Sequence, residues 1–204
     1  MGLGGDDGER DMDTTSVTRS EFLTWLKGKH AYLDALAWAR ATPGEPEALW
    51  TACPRGDWLL WLAGTAGVDR RAVVNAACAC AREALVHVPD GEDRPRLAIE
   101  AAEAWTRGGA TLKAVRRAVR AAGTAPAYAA AVAAAAAYAD DAAAVAAAAV
   151  LTVAVTAAAA AAAAAAYADA YAYDATRAAS LARSAELVRE WISWAMVEDA
   201  IRGE

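Results

Sequence analysis

Cysteine and histidine are scarce: three thiols, Cys53, Cys78 and Cys80, and two imidazoles, His30 and His87, in 204 residues. An odd number of cysteines without scaffold spacing, in a chain large enough to bury its own core, excludes a disulfide-stapled fold and predicts a reducing, cytoplasmic setting. Cys78-x-Cys80 inside a helix sets its thiols roughly 200° apart, so the pair cannot chelate one metal without unwinding, and both are read as buried small hydrophobes. A zinc site using Cys80 and His87 would need Cys53 and another ligand brought from afar, and neither histidine has an orienting carboxylate nearby in sequence. No metal, cofactor or catalytic constellation is therefore expected. Phosphate-cradling loops are missing as well, because Gly2-Leu3-Gly4-Gly5 follows no strand.

Strand signals are equally thin. Period-2 alternation of β-branched residues is confined to Val150–Thr156, embedded in alanine, and a single phenylalanine accompanies eight tryptophans, which suits close-packed helices. Met1–Ser16 is rich in glycine and aspartate and lacks the basic and apolar regions of a signal peptide, so residues 1–17 are expected to be a disordered leader. The net charge of −6 argues against general nucleic-acid binding, since phosphate contacts need cations, and favours a basic partner. Ala142–Ala166 is long enough to span a hydrocarbon core of about 30 Å. Alanine is a weak membrane residue, however, and the acidic flanks Asp140, Asp141 and Asp169 offer no Lys or Arg to orient insertion, so the segment is read as a soluble helix with no membrane role.

What is present is helical punctuation. Thr18-Arg19-Ser20-Glu21 has the capping-box form and predicts a first helix, interrupted at Gly28 and followed by a second that ends near Arg40. Thr42-Pro43-Gly44-Glu45 repeats the signature with Pro43 at the first helical position, and Cys53-Pro54 stops the short helix it launches. Asp57 is read as the cap of Trp58-Leu59-Leu60-Trp61-Leu62, which is apolar on every side and must be surrounded by other elements. That role also makes Arg55-Gly56-Asp57 a coincidental adhesion tripeptide. Asp69 caps a helix whose Val74, Cys78, Ala81 and Leu85 form an apolar stripe. Pro95 starts one with Arg96, Glu100, Glu103 and Arg107 on a charged face and Glu103 to Arg107 spaced as an i,i+4 pair. Thr111 caps the next, where Lys113, Arg116, Arg117 and Arg120 form a basic stripe. Without aromatic interleaving, that stripe is read as a solvated face or a dock for an acidic helix.

Gly123 and Pro126 mark the main change of composition, after which neither glycine nor proline recurs before Ile201. A single rod of about 75 residues would reach roughly 110 Å against an expected radius of gyration of about 17 Å. A turn is expected near Asp140-Asp141 or in Val150–Thr156. The expected fold is all-α, a multi-helix domain of short helices over 18–123 followed by long alanine-rich antiparallel helices over 124–204, packed as one domain.

Four segments, Ala52-Cys53-Pro54-Arg55-Gly56-Asp57-Trp58-Leu59-Leu60-Trp61-Leu62, Ala76-Ala77-Cys78-Ala79-Cys80-Ala81-Arg82, Gly91-Glu92-Asp93-Arg94-Pro95 and Ala98-Ile99-Glu100-Ala101-Ala102-Glu103-Ala104-Trp105, resemble the alanine-rich immunity proteins of bacterial polymorphic toxin systems, the immunity-five-like family. The likeness covers residues 48–108 and continues as compositional similarity to Arg189. It implies a mostly helical protein that protects its producer by binding a cognate toxin. An acidic-Arg dipeptide is a hallmark of that family, and Asp93-Arg94 is the best-placed match, with Asp69-Arg70 a weaker one. Each dipeptide could equally start a helix and pair with a neighbour. The candidate partner-binding residues are Asp93, Arg94, Glu100 and Glu103. Carboxylates alone suffice for acid–base hydrolysis, but nothing beyond their presence points to an enzyme. The alternative is a structural, self-associating protein in which alanine helices pack at short interaxial distances.

Overall fold

A computed structural model describes residues 16–87, 90–122 and 170–203. Among the described residues the chain forms nine α-helices and no strand: α1 (Arg19–Gly28), α2 (Leu33–Ala41), α3 (Pro46–Ala52), α4 (Gly56–Ala66), α5 (Arg70–Glu83), α6 (Arg94–Thr106), α7 (Leu112–Ala122), α8 (Ala170–Trp191) and α9 (Trp194–Arg202), with a 3-10 turn at Ala84–His87 after α5. The expected turn at Asp140-Asp141 or Val150–Thr156 and the spanning-length Ala142–Ala166 lie outside the described residues. No helix among the described residues is long and apolar enough to cross a membrane.

Several helix starts follow local chemistry. The Thr18 hydroxyl meets the Glu21 N–H while the Glu21 carboxylate accepts from the Thr18 N–H at 2.9 Å, completing the capping box. Asp69 accepts from the N–H groups of Arg71 and Ala72, both at 3.1 Å, and Thr111 from that of Ala114 at 3.3 Å. These bonds satisfy amides that the first helical turn leaves open.

Other starts are decided elsewhere. Thr42 closes α2 rather than opening α3, its N–H donating to the Trp38 carbonyl at 2.9 Å. The Arg19 guanidinium reaches across from α1 to the carbonyls of Ala39 and Thr42, both at 2.8 Å, and of Gly44 at 2.6 Å, holding the connection extended until Pro46 starts the helix. Asp57 is not the cap of α4. Arg55 holds that position, and its guanidinium takes the Asp57 carboxylate at 3.0 Å. Ile192 and Ser193 separate α8 from α9, and the Ser193 hydroxyl accepts the Met196 N–H at 3.4 Å. Val17, assigned to the leader, is buried, and its N–H donates to the Glu198 carboxylate at 2.8 Å.

The helices share one apolar core. α8 lies against α4 and α5, α5 carries α6, and α6 pairs with α7 on the outside. The crossing of α4 and α8 is close because Gly56 has no side chain: a Cβ there would stand 2.5 Å from Ser184 backbone and side-chain carbons. Arg189 of α8 donates to the Cys53 carbonyl at 3.0 Å, fixing α8 to the end of α3. α9 returns to the beginning of the chain, where Trp194 meets Phe22 edge-on at 5.6 Å.

Candidate partner-binding surfaces

Asp93 precedes α6 as its N-cap residue without a side-chain cap bond, and its side chain is 65% exposed. It pairs with Arg96 at 2.9 Å, one turn on, and Arg96 also takes Glu100 at 2.7 Å. Arg94 folds back onto Glu92, which accepts its Nε at 2.7 Å; the Arg94 guanidinium holds the Glu92 carboxyl below the usual carboxylate range. Glu103 does not pair with Arg107, because α6 ends at Thr106 and Arg107 leaves the helix ahead of a left-handed Gly108. It instead forms a two-pronged bridge to Arg82 of α5, at 2.6 and 2.7 Å. The four sequence-selected residues are thus all engaged by neighbouring charges, and Asp93 and Glu100 are brought together through one arginine. This face is a lattice of paired charges rather than a free anionic field.

A second surface lies around α4, where the sequence pattern predicts only burial. Trp58 and Trp61 are only partly buried, so α4 is not enclosed on all sides as its composition suggests. With α1, α2 and α3 it walls a cavity of about 40 Å³ lined by Phe22, Trp38, Trp50, Cys53, Trp58 and Trp61. The ring of Trp38 stands 6.1 Å from that of Trp58, and Tyr32 stands 6.0 Å from Trp61. The Arg55 guanidinium covers Trp58 at 4.4 Å. Tyr32 is 57% exposed, and the residue after it, Leu33, is 83% exposed. The segment that presents them leaves α1 through His30, whose φ of 57° is rare for a residue with a side chain. Arg55, three residues before Trp58, is the local signal, whereas bringing Tyr32 beside α4 is a tertiary event.

The thiols are shielded. Burial pushes Cys78 up to about 12 and Cys80 up to about 11, and raises Cys53 as well. Among the described residues no three His, Cys, Asp or Glu side chains gather as a metal-binding group. The chain matches no family model, no curated protein and no solved structure.

Proposed function

We propose that the protein binds and neutralises a cognate bacterial toxin by protein–protein association, without chemistry of its own. The carrying observation is the aromatic cleft bordered by α2 and α4, where Trp38, Trp50, Trp58 and Trp61 line a small apolar cavity, Tyr32 meets Trp61 and Arg55 covers Trp58. Trp, Tyr and Arg dominate interface hot spots because each offers a large, stiff contact area with a polar tip. The resemblance of residues 48–108 to alanine-rich immunity proteins supplies the class of partner. The half-buried aromatic rings around the cleft, with the exposed Tyr32 beside Trp61, form the apolar contact surface for the toxin. The paired-charge face of Asp93, Arg94, Glu100 and Glu103 is a second contact region, where a basic toxin group competes for the exposed Asp93 carboxylate.

The test is coexpression with toxins encoded beside the gene. Tyr32→Ala with Leu33→Ala removes exposed side chains, so stability stays within about 0.5 kcal/mol while toxin affinity falls by roughly 30-fold or more, as for a hot-spot residue. Asp93→Ala, and Glu100→Gln with Glu103→Gln, probe the second region. Unchanged protection in the folded Tyr32/Leu33 variant removes the cleft from the mechanism, and failure to bind any neighbouring gene product overturns the toxin reading.

A further inference from the structure

We infer that the outer face of α7 docks an acidic α-helix of a partner protein. α7 turns Val115, Val119 and Ala122 into the core and leaves Lys113, Arg116, Arg117 and Arg120 exposed on its other side. Among the described residues none of these four cations forms an ion pair, whereas Arg55, Arg82, Arg94, Arg96, Arg183 and Arg202 each hold a carboxylate. The helix contains no acidic residue to neutralise them. Their spacing, i, i+3, i+4 and i+7, makes a row about 10 Å long that follows the helix axis.

The chemistry of the row selects its occupant. Four cations on a chain of net charge −6 make a short attractive strip within a repelling field, which disfavours a long polyanion such as nucleic acid. α7 presents no aromatic ring for bases to stack on. Its buried apolar stripe leaves nothing to insert into a lipid surface. The guanidinium groups lie along a convex helix rather than converging on a pocket, so a single small anion meets one or two of them at a time. A helix carrying glutamates at the same spacing matches the whole row, with side-by-side axes and charge-assisted bonds along the seam. This surface is separate from the aromatic cleft, and the inference stands whatever protein fills that cleft.

The experiment uses the full chain and fluorescence anisotropy with labelled alanine-based peptides of about twenty residues, long enough to be helical. One peptide carries glutamates at i, i+3, i+4 and i+7; the other has the same composition with the glutamates spread around the helix. The aligned peptide is expected to bind roughly tenfold more tightly than the spread one and to weaken as salt rises. Arg116→Gln with Arg120→Gln, and separately Lys113→Gln with Arg117→Gln, should each weaken it by about tenfold with melting temperature retained. Arg40→Gln, which removes an exposed cation on α2, should leave binding unchanged. Equal binding of the two peptides, tighter binding of a duplex DNA or of phosphatidylserine vesicles, equal weakening by Arg40→Gln, or full binding by both folded α7 variants each overturns the inference.

Discussion

Gly56 and Gly64 sit in the same helix and answer to opposite physics. At Gly56 an added methyl would meet Ser184 carbons at 2.5 Å and the Ala185 nitrogen at 2.7 Å, part of it rigid backbone. Gly56→Ala should therefore cost at the upper end of the range of about 1–3 kcal/mol seen for overpacking. At Gly64 nothing lies within 4 Å, and Gly64→Ala should stabilise by about 0.5–1 kcal/mol, because alanine loses less backbone entropy in a helix. Urea melts of the two variants give the signs directly. The cysteines offer a pH reading. Their folded-state thiols hold protons up to about 11 and about 12, raised by burial, whereas an exposed thiol ionises near 8.5. Above that lower value the unfolded chain sheds the protons that the folded chain keeps, so the stability contribution, complete below it, is lost as pH rises through 9 to about 12. A thiol reagent at pH 8 should label the native protein slowly and the urea-unfolded protein at all three cysteines.

Helices that start on their own residues are legible in the sequence, and those set by a distant group are not. Thr18, Asp69 and Thr111 cap as their local pattern predicts, since each bond spans two or three residues. Thr42 carries the same pattern and fails, because Arg19 binds the carbonyls around it from another helix. Arg19→Met should remove these charge-assisted bonds and cost about 1.5–3 kcal/mol, with the loss visible as weaker amide protection at the end of α2. Ser193 lies inside a stretch of good helix formers, where its capping role carries no local signature. Ser193→Ala should cost about 1 kcal/mol and fray the start of α9, as read by the same exchange measurement. At the candidate site the charges of α6 were legible but their pairing was not: Glu103 chose Arg82 because α5 and α6 pack together and α6 ends before Arg107. The aromatic cleft escaped notice for a similar reason. Apolar periodicity around Trp58 and Trp61 signals burial without saying which side of α4 lacks a neighbour.

Over the whole molecule, the last two described helices, α8 and α9, are part of the one core. α8 and α9 contribute Val188, Ile192 and Val197, each fully buried, together with Ala185, Leu187 and Trp194. A buried side chain of the Val, Leu or Ile size is worth roughly 1.5–3 kcal/mol, against a total of about 5–15 kcal/mol for a typical domain. A chain ending before Ala170 should consequently lose cooperative unfolding and near-ultraviolet circular dichroism while keeping much of its helical signal. A sharp melting transition in that truncated chain would show that α1–α7 close a core without α8.

The meeting of Gly56 with Ser184 also sets a timetable for biosynthesis. At about 5–20 residues per second, the roughly 130 positions between them take on the order of 6 to 25 s to translate. Throughout that interval the nascent chain exposes the apolar side of α4 and α5 that α8 will cover, and Val17 and Phe22 wait for α9. Apolar surface exposed during that interval is open to premature association at the ribosome, and slower translation lengthens the exposure.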